Sequence, residues 1–104
     1  MPEPTVVHRL GQFLGEEMEE RGWTSFDVAA RMGSDMAVDA LFVDMVLVID
    51  RPNAVISVHD YRRLEKAFGV SEGFFERLDA DWRKQPDRLA PYSPPDHILA
   101  GTAS

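Results

Sequence analysis

Residues 23–33 read Trp-Thr-Ser-Phe-Asp-Val-Ala-Ala-Arg-Met-Gly and carry the signals of a short helix with a defined start and end. Thr24 or Ser25 supplies the N-cap, because a side-chain oxygen there accepts a backbone N–H that the first helical turn leaves unpaired. Gly33 ends the helix, since glycine adopts either sign of φ without a steric penalty. A helix of about two turns must be packed by its neighbours to be stable in water. Short helices beside a tight, glycine-bearing turn are the parts of helix-turn-helix units.

A longer amphipathic helix is predicted on the N-terminal side, over residues 7–21. Its apolar positions recur at three- and four-residue spacing: Val7, Leu10, Phe13, Leu14 and Met18. Its glutamates lie mostly on the opposite side: Glu16, Glu17, Glu19 and Glu20. Such an acidic run is either a solvated helix face or a surface that meets a partner. Gly22 is the expected end of this helix.

The segment that follows Gly33 is apolar nearly all round. Ser34 or Asp35 caps a helix that continues through residues 36–49, Met-Ala-Val-Asp-Ala-Leu-Phe-Val-Asp-Met-Val-Leu-Val-Ile. Such a helix is either buried nearly all round or meets a second protein surface. Residues 46–49 would also suit a strand, so their conformation is left open. Arg51-Pro52-Asn53 then breaks the element.

Two further helices and a tail complete the chain. Ser57 or Asp60 opens a helix that ends at Gly69, and Ser71 caps another that ends near Lys84 or Gln85. The remainder is rich in proline and has no apolar periodicity, so it is either disordered or draped on the domain. The predicted architecture is therefore all-α, with a five-helix domain over residues 1–85 and a flexible Pro-rich tail over residues 86–104.

Composition restricts the function. The 104 residues make one domain of net charge −7, without cysteine and without a basic run. The start of the chain lacks the features of a signal peptide, and the apolar run at residues 36–49 is too short for a membrane span and holds two aspartates. A cytoplasmic protein without membrane contact is expected. Duplex DNA repels such a charge balance unless a local basic face overrides it.

An enzyme is the weakest hypothesis. The three histidines, His8, His59 and His97, are scattered and lack the spacing of a metal site. No nucleophile lies in a recognisable setting, and no glycine-rich loop could cradle phosphate. No catalytic residue, no metal site and no cofactor are therefore predicted.

Two blocks of the sequence resemble the HigA-type antitoxins, which belong to the XRE (lambda-repressor-like) helix-turn-helix group. The first comprises residues 13–24, Phe-Leu-Gly-Glu-Glu-Met-Glu-Glu-Arg-Gly-Trp-Thr, and residues 27–33. The second comprises Ile56-Ser57, residues 64–71 (Leu-Glu-Lys-Ala-Phe-Gly-Val-Ser), Phe74-Phe75 and Leu78. The resemblance implies a five-helix domain, usually a homodimer, that binds a palindromic operator and neutralises a partner toxin. It also implies that the third helix enters the major groove of DNA.

The third-helix region departs from the family pattern. The segment between Gly33 and Ile56 is longer than usual by about two helical turns, and Arg51-Pro52-Asn53 replaces the family's Gly-Lys turn. The side chains expected to be exposed on this helix are Asp35, Met36, Asp39, Phe42 and Val46. Base readout uses Arg, Lys, Asn or Gln, and aspartates would meet the phosphates with like charge.

Two functions are weighed against each other. The first in rank is a dimeric, antitoxin-like transcriptional regulator that binds double-stranded DNA. Its candidate DNA contacts are Ser25, Arg31, Ser34, Arg51, Arg62 and Arg63. In the structural alternative, Arg31 pairs with a first-helix glutamate, and Arg62 and Arg63 pair with Glu65 or Asp60.

The second function is a protein-interaction module that keeps the scaffold but does not bind DNA. It would use the apolar region of residues 36–49 to form a homodimer or to bind a partner protein such as a basic toxin. Its candidate interface residues are Met36, Phe42, Val46 and Ile49.

Overall fold

Helices make up nearly all of the regular structure. The computed structural model describes residues 9–48, 55–84 and 93–101. The helices are α1 (Leu10–Arg21), α2 (Ser25–Met32), α3 (Met36–Val48), α4 (Val58–Phe68) and α5 (Phe74–Lys84), with one 3-10 turn at Asp96–Ile98. No strand occurs in these three ranges, which confirms the all-α prediction for them. Residues 46–48 are helical, and no described helix has the length and apolar content of a membrane span.

The ends of α1 and α2 agree with the sequence signals. Thr24 is the N-cap of α2: its hydroxyl accepts the N–H of Asp27, and the Asp27 carboxylate accepts the N–H of Thr24 at 2.8 Å. This reciprocal capping box satisfies two donors that the helix would otherwise leave unpaired. Gly22 and Gly33 end their helices in the left-handed region, with φ of 71° and 77°. The tight turns on either side of α2 are therefore built from glycine's conformational freedom.

The predicted side-chain caps are present at the starts of α3 and α4 but not at the start of α5. The Asp35 carboxylate accepts the N–H of Val38 at 3.1 Å, and the Ser57 hydroxyl accepts the N–H of Asp60 at 3.1 Å. The prediction that Ser71 caps the last helix is wrong, because α5 begins only at Phe74. Its first turn is held by the carboxylate of Glu65 on α4, a tertiary contact that a local sequence signal does not reveal.

The core lies where α1, α4 and α5 meet the α2–α3 pair. Aromatic rings fill the junction of α1, α4 and α5, and the Phe75 ring lies 5.9 Å from Phe13 and 5.6 Å from Phe68, centroid to centroid. Both contacts are edge-to-face, the arrangement that ring quadrupoles favour. Aliphatic side chains from α1 to α4 complete the core, among them Leu10, Leu14, Met18, Val28, Val43, Leu47 and Leu64.

Helices α1 and α3 approach closely at Gly11. A Cβ atom at this position would lie 2.6 Å from the carbonyl oxygens of both Val46 and Leu47. In an ordinary helix, Gly→Ala stabilises by about 1 kcal/mol. We expect the opposite sign here, a loss of about 1–3 kcal/mol, because the two backbones must separate. Urea unfolding of Gly11→Ala, with Gln12→Ala on the same helix as the control, measures the difference; a stabilised Gly11→Ala would contradict the close approach.

The C-terminal segment packs on the domain. Ile98 is only 1 % exposed and belongs to the main core, and Ala100 is also buried. Of the two conformations expected for the tail, flexible or draped on the domain, residues 93–101 adopt the draped one, while residues 86–92 and 102–104 lie outside the described ranges. Sequence periodicity does not reveal this segment, because its contacts follow no helical or strand repeat. Ile98 and Leu99 pack on the main core, Ala100 packs on Ala29 and Ala40, and the N–H groups of Ala100 and Gly101 bond to Asp44.

Candidate functional site

Helix α3 has two apolar faces. One face is buried in the core and carries Ala40, Val43, Val46 and Leu47. The opposite face is exposed and carries four side chains, which we call the α3 stripe: Val38, Leu41, Met45 and Val48. Their exposed fractions are 62 %, 61 %, 44 % and 53 %. At 3.6 residues per turn these four positions line up on one side of the helix, facing away from the core.

The exposed face differs from the one expected from sequence. Asp39 and Val46 were expected on the surface, and that expectation is wrong: they are 4 % and 1 % exposed. Met36 is half exposed, and Phe42 lies at the edge, partly buried against the core. The helical wheel could not choose between the faces, because both are apolar.

Both aspartates of α3 are engaged within the chain. Asp39 pairs with the guanidinium of Arg63 on α4, which also contacts Asp60 at 3.3 Å. The Asp44 carboxylate accepts the hydroxyl of Ser25 and the backbone N–H of Ala100 and Gly101, the latter two at 2.9 and 2.7 Å. No other ionisable residue occurs in α3. The α3 stripe is therefore an uncharged surface on a chain of net charge −7.

Of the predicted DNA contacts on α2 and its turn, two are exposed. Ser25 is fully buried and donates to Asp44. Ser34 is exposed in the turn before α3. Arg31 is exposed as well, but it pairs with no first-helix glutamate: its guanidinium lies 4.0 Å from the Trp23 ring centre and donates to the carbonyl of Asp27 at 2.8 Å. This cation–π contact holds the arginine against its own domain.

The two arginines of α4 are both paired with carboxylates. Arg62 lies 3.0 Å from Glu65, 3.3 Å from Glu72 and 2.7 Å from Glu76. Arg63 bridges Asp39 and Asp60, as described above. Their charge is therefore compensated by acids of the same chain, as the structural alternative for these residues expected. The other predicted site residues, Ile49 and Arg51, lie outside the described ranges.

Glu65 organises the turn between α4 and α5. It is 2 % exposed, and its carboxylate accepts the N–H of Gly73 at 2.9 Å and of Phe75 at 3.0 Å. Burial opposes its ionisation, but these backbone donors and Arg62 outweigh burial and lower the pKa of Glu65 below its ordinary value. A surface cavity of about 200 Å³ opens beside it. The charges that line this cavity neutralise one another.

Asp79 is the second buried carboxylate of the C-terminal half. It is 1 % exposed and accepts hydrogen bonds from the Tyr61 hydroxyl and the Trp82 indole N–H. Arg83 adds an ion pair at 3.1 Å. Burial, reinforced by the hydrogen bond to Asp79, raises the pKa of Tyr61 well above its usual value. The Tyr61–Asp79 hydrogen bond joins α4 to α5, while Trp82 and Arg83 contact Asp79 from within α5.

The described residues contain no group of three or more side chains placed to hold a metal ion. In the part of the chain that the structure describes, Phe26, Val55 and Val58 are also exposed, but the α3 stripe groups four exposed hydrophobic side chains on one helix face. The interface residues predicted from the sequence lie on the same helix, but they do not include Val38, Leu41, Met45 or Val48. The 3-4-3 spacing of these four residues is present in the sequence. It does not identify the exposed face, because the opposite face of the helix is equally apolar.

Three comparisons with known proteins were made, against protein-family models, curated proteins and solved structures. None gave a match. The resemblance to the HigA-type antitoxins therefore stays a prediction from the sequence.

Proposed function

We propose that this chain is a protein-interaction module whose docking surface is the α3 stripe. One observation supports the proposal: four large hydrophobic side chains are exposed in one row on α3. This helix is held in place by its extensive contact with α2. Scattered exposed hydrophobic residues are normal on soluble proteins, but a contiguous row marks an interaction site.

The energetics support docking. Burying one exposed aliphatic side chain contributes about 1.5–3 kcal/mol when burial is complete. The four side chains of the stripe are each about half exposed, so a partner that covered them would gain several kcal/mol before the entropy of association is subtracted. The surface is also rigid, because it belongs to a helix whose other face is fixed in the core.

Charge argues against nucleic acid at this surface. DNA binding depends on cations that meet phosphates, and base readout depends on polar side chains in the groove. Helix α3 contains neither lysine nor arginine, and both its aspartates are bonded within the chain. An uncharged aliphatic row fits the apolar surface of another protein.

Site-specific photo-crosslinking tests the proposal. A photoreactive amino acid at position 41, in the stripe, is expected to give adducts in cells that express the chain. The same amino acid at position 80, exposed on α5, is the control. Mass spectrometry then identifies both linked peptides, and Met45→Glu should abolish the adduct at position 41. Equal adducts from both positions, or none from position 41, would contradict the proposal.

DNA binding by a dimeric, antitoxin-like regulator is the second candidate. The observation that favours it is the short link of three residues, Gly33-Ser34-Asp35, between α2 and α3, with Gly33 in the left-handed region. Two helices so connected suit a helix-turn-helix unit in which α3 would be the recognition helix. The exposed side chains of Arg31, in the last turn of α2, and Ser34, in the link, would then lie nearest to the DNA backbone.

Fluorescence anisotropy with labelled random duplex DNA separates the two candidates. Non-specific affinity arises from phosphate contacts, so binding at about 20 mM salt that disappears at about 200 mM would support the regulator. For the interaction module we expect no binding at either salt concentration. Arg31→Ala is the matched variant, because it removes the cation nearest to the turn and should flatten any salt dependence.

A further inference from the structure

We infer that the α3 stripe docks on the α3 stripe of a second copy of this chain, with the two helices antiparallel. This inference rests on the proposed function and names its partner. It differs from the dimer expected from sequence, since Val46 belongs to the core and the contacts pass to Val38, Leu41, Met45 and Val48.

The spacing of the stripe favours another helix as the occupant. Positions 38, 41, 45 and 48 follow the 3-4-3 pattern of the apolar seam in a two-stranded coiled coil, in which side chains of one helix enter the spaces between side chains of the other. The 13 residues of α3 span about 20 Å. A second α3 matches this seam in length and spacing.

The electrostatics favour a copy over a basic partner. A site for a basic protein would be expected to carry unpaired carboxylates around its apolar centre. The two acids that α3 contributes are instead engaged within the domain: Asp39 is paired with Arg63, and Asp44 accepts hydrogen bonds from three neutral donors. Two chains of charge −7 repel each other least where their surfaces carry no charge. The stripe provides that surface.

The size of the stripe determines the affinity expected of the dimer. The stripe offers on the order of a few hundred Å² of apolar surface, the usual size of a functional patch. Two copies that covered these side chains would bury on the order of several hundred Å² in total, which is in the range of weak and transient interfaces. A two-fold dimer of modest affinity follows, because the same patch is used on both sides.

The antiparallel arrangement follows from the ends of the helix. Asp35 is exposed at the start of α3, where it accepts the N–H of Val38. Parallel helices would place two such carboxylates side by side and align the helix dipoles. Antiparallel helices separate them by about 20 Å, the length of α3. Leu41 then faces Met45 of the second copy, and Val38 faces Val48 of the second copy.

Sedimentation equilibrium of the purified full chain tests the dimer. We expect the monomer–dimer equilibrium to become measurable as the protein concentration is raised to about 1 mM. Leu41→Glu should raise the dissociation constant at least about 100-fold, because a two-fold interface carries the substitution twice. Ala80→Glu adds the same charge to an exposed site on α5 and should leave the dimer intact. Circular dichroism should show both variants folded, since position 41 is 61 % exposed.

Disulfide trapping tests the orientation, and the absence of cysteine from the chain leaves no background. When Leu41→Cys and Met45→Cys chains are mixed and oxidised, antiparallel helices should give mainly the mixed 41–45 disulfide. Parallel helices would give 41–41 and 45–45 disulfides, because a bridge requires Cα atoms within about 7 Å. A predominance of these like pairs would overturn the antiparallel arrangement.

The two failures are distinguishable. A chain that stays monomeric at every concentration overturns the inference. If crosslinking from position 41 then joins it to another protein, the proposed function stands with a different partner. If position 41 gives no adduct at all, both the inference and the proposed function are refuted.

Discussion

Replacing Asp79 by alanine is expected to lower the free energy of unfolding by about 3–5 kcal/mol, because one buried partner of an ion pair is removed and the other is left behind. The carboxylate is 1 % exposed and is the common acceptor for Tyr61, Trp82 and Arg83. Without it, the phenol, the indole N–H and the guanidinium lose a charged acceptor that water cannot readily replace.

Urea unfolding measures this loss, and Asp81→Ala is the matched control. Asp81 lies on the same helix but is exposed, so its removal should change stability by less than about 0.5 kcal/mol. Equal effects of the two substitutions would refute the role of the buried cluster. Ultraviolet titration offers a second readout: burial and the Asp79 hydrogen bond both raise the pKa of Tyr61, so this pKa should fall in any folded Asp79→Asn protein.

Replacing Glu65 by glutamine is expected to cost about 2–4 kcal/mol at neutral pH, because the charged acceptor for the first turn of α5 is lost. Its carboxylate binds Arg62 and the N–H groups of Gly73 and Phe75. Glutamine keeps one carbonyl oxygen, so it can accept from only some of these donors. Both the start of α5 and its attachment to α4 should weaken.

The pH dependence of stability has a defined sign. The folded-state pKa of Glu65 lies below its ordinary value of 4.5. The stabilisation is therefore present above the pKa of the unfolded chain and is lost as pH falls through the lower, folded-state pKa. We expect wild-type stability to drop as pH falls below about 4.5, and the drop should be smaller in Glu65→Gln, which has no proton to bind.

Glu72→Gln is the control for this experiment. Glu72 also contacts Arg62, at 3.3 Å, but its side chain is 82 % exposed. An ion pair at such a site contributes less than about 1 kcal/mol, so its loss should hardly change the stability or its pH dependence. If the two glutamines behaved alike, the cap on α5 would not be the source of the acid sensitivity.

The buried carboxylates explain how an acidic chain forms this domain. Asp39, Glu65 and Asp79 are nearly inaccessible, and each is paired with an arginine of the chain. A buried charge is tolerated only when it is paired and hydrogen-bonded. The charges of these arginines are therefore balanced by carboxylates of the same domain. Fewer unpaired cations are left to contact the phosphates of DNA.

Much of the secondary structure was determined locally. The capping box at Thr24, the glycine stops at Gly22, Gly33 and Gly69, and the periodicity of α1 and α4 all act within a few residues, and each is present in the structure. Such signals depend on backbone geometry and on hydrogen bonds between near neighbours. The sequence alone was therefore enough for the number of helices and for most of their ends.

Only the tertiary structure decided which face of α3 is buried. Both faces are apolar, so burial of either would have satisfied the hydrophobic effect. The choice follows from partners distant in sequence: Arg63 lies 24 residues beyond Asp39, and Ser25 and Ala100 lie 19 and 56 residues from Asp44. These contacts require the buried face to carry Asp39 and expose Val38, Leu41, Met45 and Val48. The candidate binding surface, the α3 stripe, is the face of the helix that these contacts leave exposed.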